Sequence, residues 1–361
     1  MMAKTLMCSC LCIFMHLQVW AQKPVDLFSA GQEPRIACYR IPALATTPSG
    51  TLLAAADQRL NTCQDLGRNP DIDIVLRRST DHGRTWTSVE KVVDLPEGRS
   101  ASDPSFLVER FSGRVFLFFN SMDHAKSPGI YRLNHVFSDD NGRSWSTPSD
   151  ITDELLPVEE RSDFIFITSG NGHQDTDGNM YLTVVNVTKG HVRIGISEDR
   201  GKIWRFAPSA VKPADESRMA VLSNGEWMVN ARINGAGHRM IHRSSDKGRT
   251  WHPAPDTVLL DPGCNAGLIV VKQKRTDKPR TDKPLMVFSN PASSSKRERL
   301  TIRISQDDGR SWTDRQLVHA GPAAYSDIAQ TKKGDLAVLF ERDDYAAIRF
   351  LRLTDRLVLP K

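Results

Sequence analysis

Short apolar runs recur along this chain, and most follow a glycine turn. They read TLLAAA after Gly50, RVFLFF after Gly113, NMYLTVV after Gly178, EWMVNA after Gly225 and DLAVLF after Gly334. A sixth run, PLMVFS from Pro284, lacks the glycine. Runs this short, rich in β-formers or alternating with polar residues, predict buried strands. No segment sustains a 3.6-residue apolar period between helix caps, so the expectation is an all-β chain.

A polar phrase alternates with these runs. Ser-x-Asp-x-Gly-x-(Thr/Ser/Ile)-Trp occurs at Ser79–Trp86, Ser138–Trp145, Ser197–Trp204, Ser244–Trp251 and Ser305–Trp312, at spacings of 47 to 61 residues. Such a period is the signature of a repeat architecture. In each box the Asp is expected to accept hydrogen bonds from backbone N–H groups two residues on, and the Gly to supply a positive φ. The Trp then pins the turn to an apolar surface, so the boxes read as structural hairpin corners. Six equivalent strands with five interleaved boxes predict a six-bladed β-propeller of four-stranded antiparallel blades over residues 22–361. The last blade has no box, and the N-terminal segment near residues 22–40 is expected to complete it, removing an open sheet edge. The tandem RTDKPRTDKP of Arg275–Pro284 reads as an exposed loop.

Composition changes the picture at the N-terminus. Lys4 precedes a mostly apolar run from Leu6 to Trp20, and Val19-Trp20-Ala21 offers a cleavage site before Gln22. Residues 1–21 are therefore expected to be a secretory signal peptide, making the mature chain secreted or periplasmic with no integral membrane segment. A lipoprotein anchor fits less well, because Cys8, Cys10 and Cys12 lie inside the apolar run. Roughly 340 residues remain, enough for one large core. They keep Cys38, Cys63 and Cys264, which allow at most one disulfide, have no metal-ligand spacing and leave the pairing open. The net charge of +5 is spread along the chain without a basic stripe. That argues against nucleic acid as a partner and mildly favours an acidic substrate.

If the blades are equivalent, corresponding strand ends face one mouth. Arg59, Arg232, Arg297 and Glu341 fall at or just beyond such ends, and Arg40 lies shortly before the first run. One arginine there is ordinarily a salt-bridge former. Several at corresponding positions read as an anion clamp, since guanidinium matches a carboxylate bidentately.

With YRIP at Tyr39–Pro42, FSNPA at Phe288–Ala292, GPAAYSDIA at Gly321–Ala329 and the five boxes, the chain resembles the bacterial-type exo-α-sialidases (neuraminidases). The likeness covers essentially the whole mature sequence. The boxes also occur in other propellers, so YRIP and the spaced site residues are its more specific part. The resemblance implies a retaining glycosidase that removes terminal sialic acids from glycoproteins, glycolipids or oligosaccharides, with no cofactor and no metal. It implies that Arg40, Arg232 and Arg297 hold the sialic acid carboxylate, with Arg299 and Arg303 as neighbours to be told apart from Arg297. Arg59 and Asp103 would meet the O4 and N-acetyl side of the sugar. Asp65 would be the acid/base, with Asp71 and Asp73 as rivals. Tyr325 would be the nucleophile, Glu216 its partner (Asp215 stands beside it), and Glu341 the carboxylate that orients Arg40.

The residue types suit that chemistry. The anomeric carbon of a sialic acid already bears a carboxylate, so a neutral tyrosine approaches it without the repulsion a carboxylate nucleophile would meet; sialidases are a known exception to the two-carboxylate rule. A free phenol, with a pKa of about 10, then needs a neighbouring base. A trans-sialidase would share every residue named, whereas a binding-only propeller should lack the nucleophile, its base or the acid. Without the family, Asp65 reads as a turn cap and Tyr325 as a core tyrosine. Asn186-Val187-Thr188 is a formal glycosylation sequon at a strand end, relevant only in a eukaryotic secretory host.

Overall fold

Every one of the six apolar runs forms a strand, and each is the second strand of its unit. The computed structural model describes residues 23–31, 33–271 and 285–354. The N-terminal segment 1–21 and the duplication at 275–284 lie outside the described residues. The described residues are all-β apart from one four-residue helix, Thr152–Leu155, and two short 3-10 turns.

Among the described residues the strands make five sheets. Sheet I orders Ile36–Thr46, Leu52–Leu60, Ile72–Ser79 and Glu90–Val93; sheet II orders Arg99–Val108, Val115–Asp123, Arg132–Ser138 and Ser149–Asp150. Sheet III is built on Met180–Asn186 and His191–Ser197, and sheet IV on Ser217–Val221, Trp227–Ala231, His238–Ser244 and His252–Leu260. Sheet V has seven strands, because the long strand Thr313–Gln330 serves twice. Its first part pairs with Glu298–Ser305 and its second part, from Ala323, with Leu336–Arg342. The N-terminal strand Val25–Ser29 adds to Ala347–Leu353 and ends this sheet. Asp26 fixes the join by hydrogen bonds from Arg342 (2.9 Å) and Arg349 (2.7 Å).

Burial follows the alternation of the strands. One apolar cluster lies between sheets I and II around Leu53, Leu76, Phe106 and Phe119, and further clusters join II to III, III to IV, and IV to the first part of V. The two parts of sheet V pack on each other, and the second part packs back onto sheet I through Phe350, Leu339, Leu44 and Leu52.

The boxes turn the chain from the third strand of a unit to the fourth, with one difference from expectation. Asp81 accepts the N–H groups of Arg84 and Thr85, three and four residues on, not two. The Ser79 hydroxyl accepts the Gly83 N–H and donates to Asp81. The backbone explains the reach: His82 and Gly83 are both left-handed, at φ 64° and 84°, so the chain coils back over the carboxylate. The other copies repeat this two-residue left-handed step. Trp86 then meets Phe350 edge-on at 4.9 Å, and Trp204 meets Phe118 at 5.4 Å.

What positions the site is a set of bulges in inner strands. The pairing slips between Arg40 and Ala43, between Ser102 and Ser105, and between Ala323 and Ser326. Ile41 and Asp103 take φ values of 60° and 62° there. A bulge leaves extra residues without a ladder partner and re-aims side chains. Arg40, Asp103 and Tyr325 sit in or beside these three bulges.

Candidate active site

The backbone groups freed by the bulges are captured by buried carboxylates. Glu341, fully buried in Leu336–Arg342, accepts the N–H of Ile41 at 2.9 Å and that of Tyr325 at 3.0 Å. The same carboxylate accepts Nε of Arg40 at 2.6 Å. Asp57, equally buried, accepts the Asp103 N–H at 3.0 Å, the Ser102 hydroxyl at 2.6 Å and Nη2 of Arg59 at 3.0 Å. Charged hydrogen bonds of this kind hold two arginines and two bulges in fixed geometry.

Tyr325 is the centre of the cluster. Its hydroxyl donates to Oε2 of Glu216 at 2.6 Å, and Nη1 of Arg232 donates to the same hydroxyl at 3.1 Å. Arg232 also pairs directly with Glu216. The guanidiniums of Arg297 and Arg40 stand 5.4 and 5.7 Å from the centre of the Tyr325 ring. Burial pushes the Tyr325 phenol well above its ordinary value, and the Glu216 carboxylate adds to this. The phenol therefore keeps its proton, aimed into Glu216. Asp215 is engaged elsewhere, by Asn234 at 2.6 Å and by the Glu216 N–H at 2.7 Å.

Arg297 is separated from its neighbours by its setting. It donates to the carbonyl of Gly263 at 2.9 Å and to the hydroxyl of Tyr345 at 3.2 Å, and among the described residues no carboxylate pairs with it. Arg299 is exposed at a left-handed position, and Arg303 turns inward to Asn290 at 2.6 Å. A half-buried guanidinium without a counter-charge is a ready site for an anion.

On the other side of the cluster, Nη1 of Arg59 donates to Asp65 at 2.6 Å and to the carbonyl of Cys63 at 2.9 Å. Partial burial pushes Asp65 up, but the Arg59 charge and hydrogen bond, helped by Arg40 and Arg297, hold it below the usual carboxylate value. The rivals have other partners: Asp71 meets Arg35 at 3.4 Å and Asp73 meets Lys91 at 2.8 Å. Asp103 behaves oppositely to Asp65. Burial, with the like charges of Asp57 and Glu216 nearby, pushes it well above the carboxylate range, while Asn120 donates to it at 3.1 Å.

All nine residues singled out in the sequence thus fall in two adjoining networks, one around Tyr325 and one around Asp57, which meet where Arg40 pairs with Asp57 across neighbouring strands. Sequence reasoning missed three members. Tyr345 lies under the Arg40 guanidinium at 3.9 Å and bonds Arg297, so it spaces two of the arginines. Asp57 carries Arg59 and the Asp103 bulge; its place in Asp57-Gln58-Arg59, alternate to the arginine on a strand, was the available signal. Cys264 is buried against Ile41, Ala324 and Tyr325, and no sequence feature pointed there. The disulfide joins Cys38 to Cys63, leaving Cys264 free. Among the described residues no cluster of three or more His, Cys, Asp or Glu side chains could hold a metal ion.

Comparison with known proteins places this fold. The BNR repeat-like domain family matches residues 50–338, so the chain belongs to that family. A curated sialidase of Bacteroides fragilis is 31% identical over 335 residues, covering 84% of this chain and 60% of its own length. The chain thus spans about three-fifths of that relative. Among solved structures, a Hadza microbial sialidase superposes with a TM-score of 0.81 at 28% identity, over 93% of this chain and 69% of its own. A leech intramolecular trans-sialidase superposes with a TM-score of 0.76 at 17% identity, over 93% and 71%, a likeness of fold alone.

Proposed function

We propose that the chain is a retaining exo-α-sialidase that works through a tyrosine-linked sialosyl intermediate. The observation that carries this reading is Tyr325: a phenol whose proton points into a buried carboxylate, with three guanidiniums around it. Arg40, Arg232 and Arg297 would grip the substrate carboxylate and so orient the anomeric carbon above the phenol. As the Tyr325 oxygen bonds to that carbon, its proton passes to Glu216, and Arg232 steadies the negative charge passing through the oxygen.

The bond to the departing glycosidic oxygen breaks as Asp65 gives that oxygen a proton. Asp65 then takes a proton from water, the water oxygen displaces the phenolate, and Glu216 returns the proton to Tyr325. Two displacements at one carbon retain its configuration. Arg59 and Asp103, both held by Asp57, would meet the O4 and N-acetyl side of the sugar.

The fold reading completes the proposal. Counting sheet V as two units, the clusters that join each unit to the next and the last to the first support a six-bladed propeller. Substrates would be sialylated glycoproteins, glycolipids or oligosaccharides, reached in the secreted or periplasmic location that the N-terminal segment suggests. No helix among the described residues is long and apolar enough to cross a membrane.

The test is turnover of a fluorogenic α-sialoside by the purified chain, with the first-formed anomer followed by NMR. Release of the α-anomer of free sialic acid is expected. Release of fluorophore without free sialic acid would replace hydrolysis by transfer, and absence of turnover would overturn the enzyme reading.

A further inference from the structure

Asp65 is the one charged member of the cluster that stands in the open, with its side chain 80% exposed. It sits on the loop between Leu52–Leu60 and Ile72–Ser79, not on a strand. The ion pair with Arg59 holds it as a carboxylate. A carboxylate that accepts from a guanidinium cannot at the same moment donate a proton, and a protonated Asp65 loses most of its attraction to Arg59. Something else must keep the acid in place during the step that needs it.

The loop is fastened on both sides of this residue. Two residues before Asp65, Cys63 is bonded to Cys38 of the inner strand Ile36–Thr46, with 5.6 Å between the Cα atoms. Cys38 lies two residues from Arg40, so the bridge ties the acid to the anion clamp. One residue after Asp65, Leu66 is buried against Ile72, Met122 and Tyr131. Two residues after it, the Gly67 backbone lies against the Tyr131 hydroxyl. The approach is close: a Cβ at position 67 would stand 3.2 Å from that oxygen. Tyr131 is itself braced edge-on by Phe164 at 4.9 Å. At the base of the loop, buried Asn69 donates to the carbonyls of Thr62 at 2.8 Å and Leu60 at 3.3 Å.

Resting on the reading of Asp65 as the acid/base, we propose that the Cys38–Cys63 disulfide and the Tyr131 hydroxyl are positioning groups that hold Asp65 where the leaving oxygen needs its proton. They touch neither substrate nor reacting atoms. Cutting either fastening widens the range of positions the carboxyl visits, and a misplacement of about 1 Å is enough to cost about 100-fold in a reaction that depends on alignment. The consequence is redox dependence of one chemical step. A dithiol gives the bridge two electrons and two protons, forming two thiols and closing into its own cyclic disulfide; the Asp65 loop then loses its covalent tie and keeps only the hydrogen bonds from Asn69 and Arg59 and the packing of Leu66.

Leaving-group dependence separates positioning from general structural damage. A nitrophenyl α-sialoside departs without a proton, whereas a sialyl-galactoside needs one. The comparison uses the oxidised chain, the same chain reduced with dithiothreitol, Cys38→Ser/Cys63→Ser and Tyr131→Phe. Reduction and both variants should lower kcat/KM on the sialyl-galactoside at least about 10-fold, out of the 10²–10⁴ that a general acid contributes, and change the nitrophenyl substrate less than about threefold. The double serine variant should no longer respond to dithiothreitol. Equal losses on both substrates, or no loss on either, would overturn the inference while leaving the sialidase reading standing. If the serine variant does not fold, reduction of the folded chain and Tyr131→Phe decide alone. If the oxidised chain hydrolyses neither substrate, the functional reading fails and takes this inference with it.

Discussion

The Tyr325 hydroxyl and the Glu216 carboxylate meet at 2.6 Å across 109 residues of sequence. Tyr325 lies on a strand that belongs to two units, and Glu216 immediately precedes the inner strand of sheet IV. Removing the hydroxyl in Tyr325→Phe removes the nucleophile but little packing. Glu216→Gln keeps the shape and loses the base. Glu216→Gln should lower kcat by about 10²–10⁴, and Tyr325→Phe by at least about 10³, each with the melting temperature near that of the parent. Steady-state kinetics on an aryl α-sialoside and a thermal melt check both; retention of parental kcat by Tyr325→Phe would remove the tyrosine from the mechanism.

Arg297 and Glu341 should respond in opposite ways. Arg297 has no carboxylate partner among the described residues, so Arg297→Ala should leave stability almost unchanged. Loss of one charged hydrogen-bonded contact to substrate, worth about 1.5–3 kcal/mol, should lower kcat/KM about 10- to 100-fold. Glu341→Ala strands the Arg40 guanidinium and two backbone N–H groups, and leaving a buried charge without its partner costs about 3–5 kcal/mol. Urea unfolding of the two variants is the comparison.

One box is incomplete. In four boxes a Thr or Ser hydroxyl donates to the second oxygen of the Asp, as Thr85 does to Asp81 at 2.6 Å. The third copy has Ile203, which is 64% exposed and offers Asp199 only its backbone N–H. Ile203→Thr should add the missing hydrogen bond and remove apolar surface from water, stabilising the chain by about 0.5–1 kcal/mol. A melting temperature at or below the parental value would count against this account of the box.

The closing strand should carry a pH signature. Partial burial pushes Asp26 up, but hydrogen bonds from Arg342 and Arg349 and their charges hold it far below its ordinary value in the folded chain. A carboxylate depressed by folding contributes stability above its unfolded pKa of about 4, and loses it as pH falls toward the folded value. Asp26→Asn should therefore destabilise by about 1 kcal/mol at pH 7, allowing for solvent screening. That gap should shrink steadily below pH 4. A gap independent of pH would assign the effect to packing.

The sequon at Asn186 should stay unmodified. Asn186 is buried, donates to Asp163 at 2.8 Å and accepts the Lys189 N–H at 3.0 Å. Its amide is not free to meet a glycosyltransferase in the folded chain. Intact mass of protein secreted from a eukaryotic host should equal that of the unglycosylated chain at this site.

Local physics made much of this legible in advance. The six runs and five boxes were readable because strands buried on both faces leave short continuous apolar runs, and because a left-handed turn favours glycine. The hydrogen-bonding reach inside the box was misjudged for a local reason too: nothing in a sequence announces that His82, a residue with a Cβ, also takes a left-handed conformation. The site was less legible. Composition and spacing alone could not choose Arg297 over Arg299 and Arg303, or Asp65 over Asp71 and Asp73; the family resemblance supplied those choices. Tyr345 and Asp57 escaped notice because their importance lies in what they touch.

The sequence by itself determined the strands, the repeat that spaces them, and the residue types available for holding an anion. These follow from interactions between residues close in the chain, or from averages over the whole chain. Tertiary structure decided everything that depends on convergence: which cysteines bond, which of the three clamp arginines has no carboxylate partner among the described residues, and which carboxylate receives the Tyr325 proton. Each of these is a contact across tens to hundreds of residues. It is set by small slips in strand register that re-aim one side chain, and such slips leave no periodic trace along the chain.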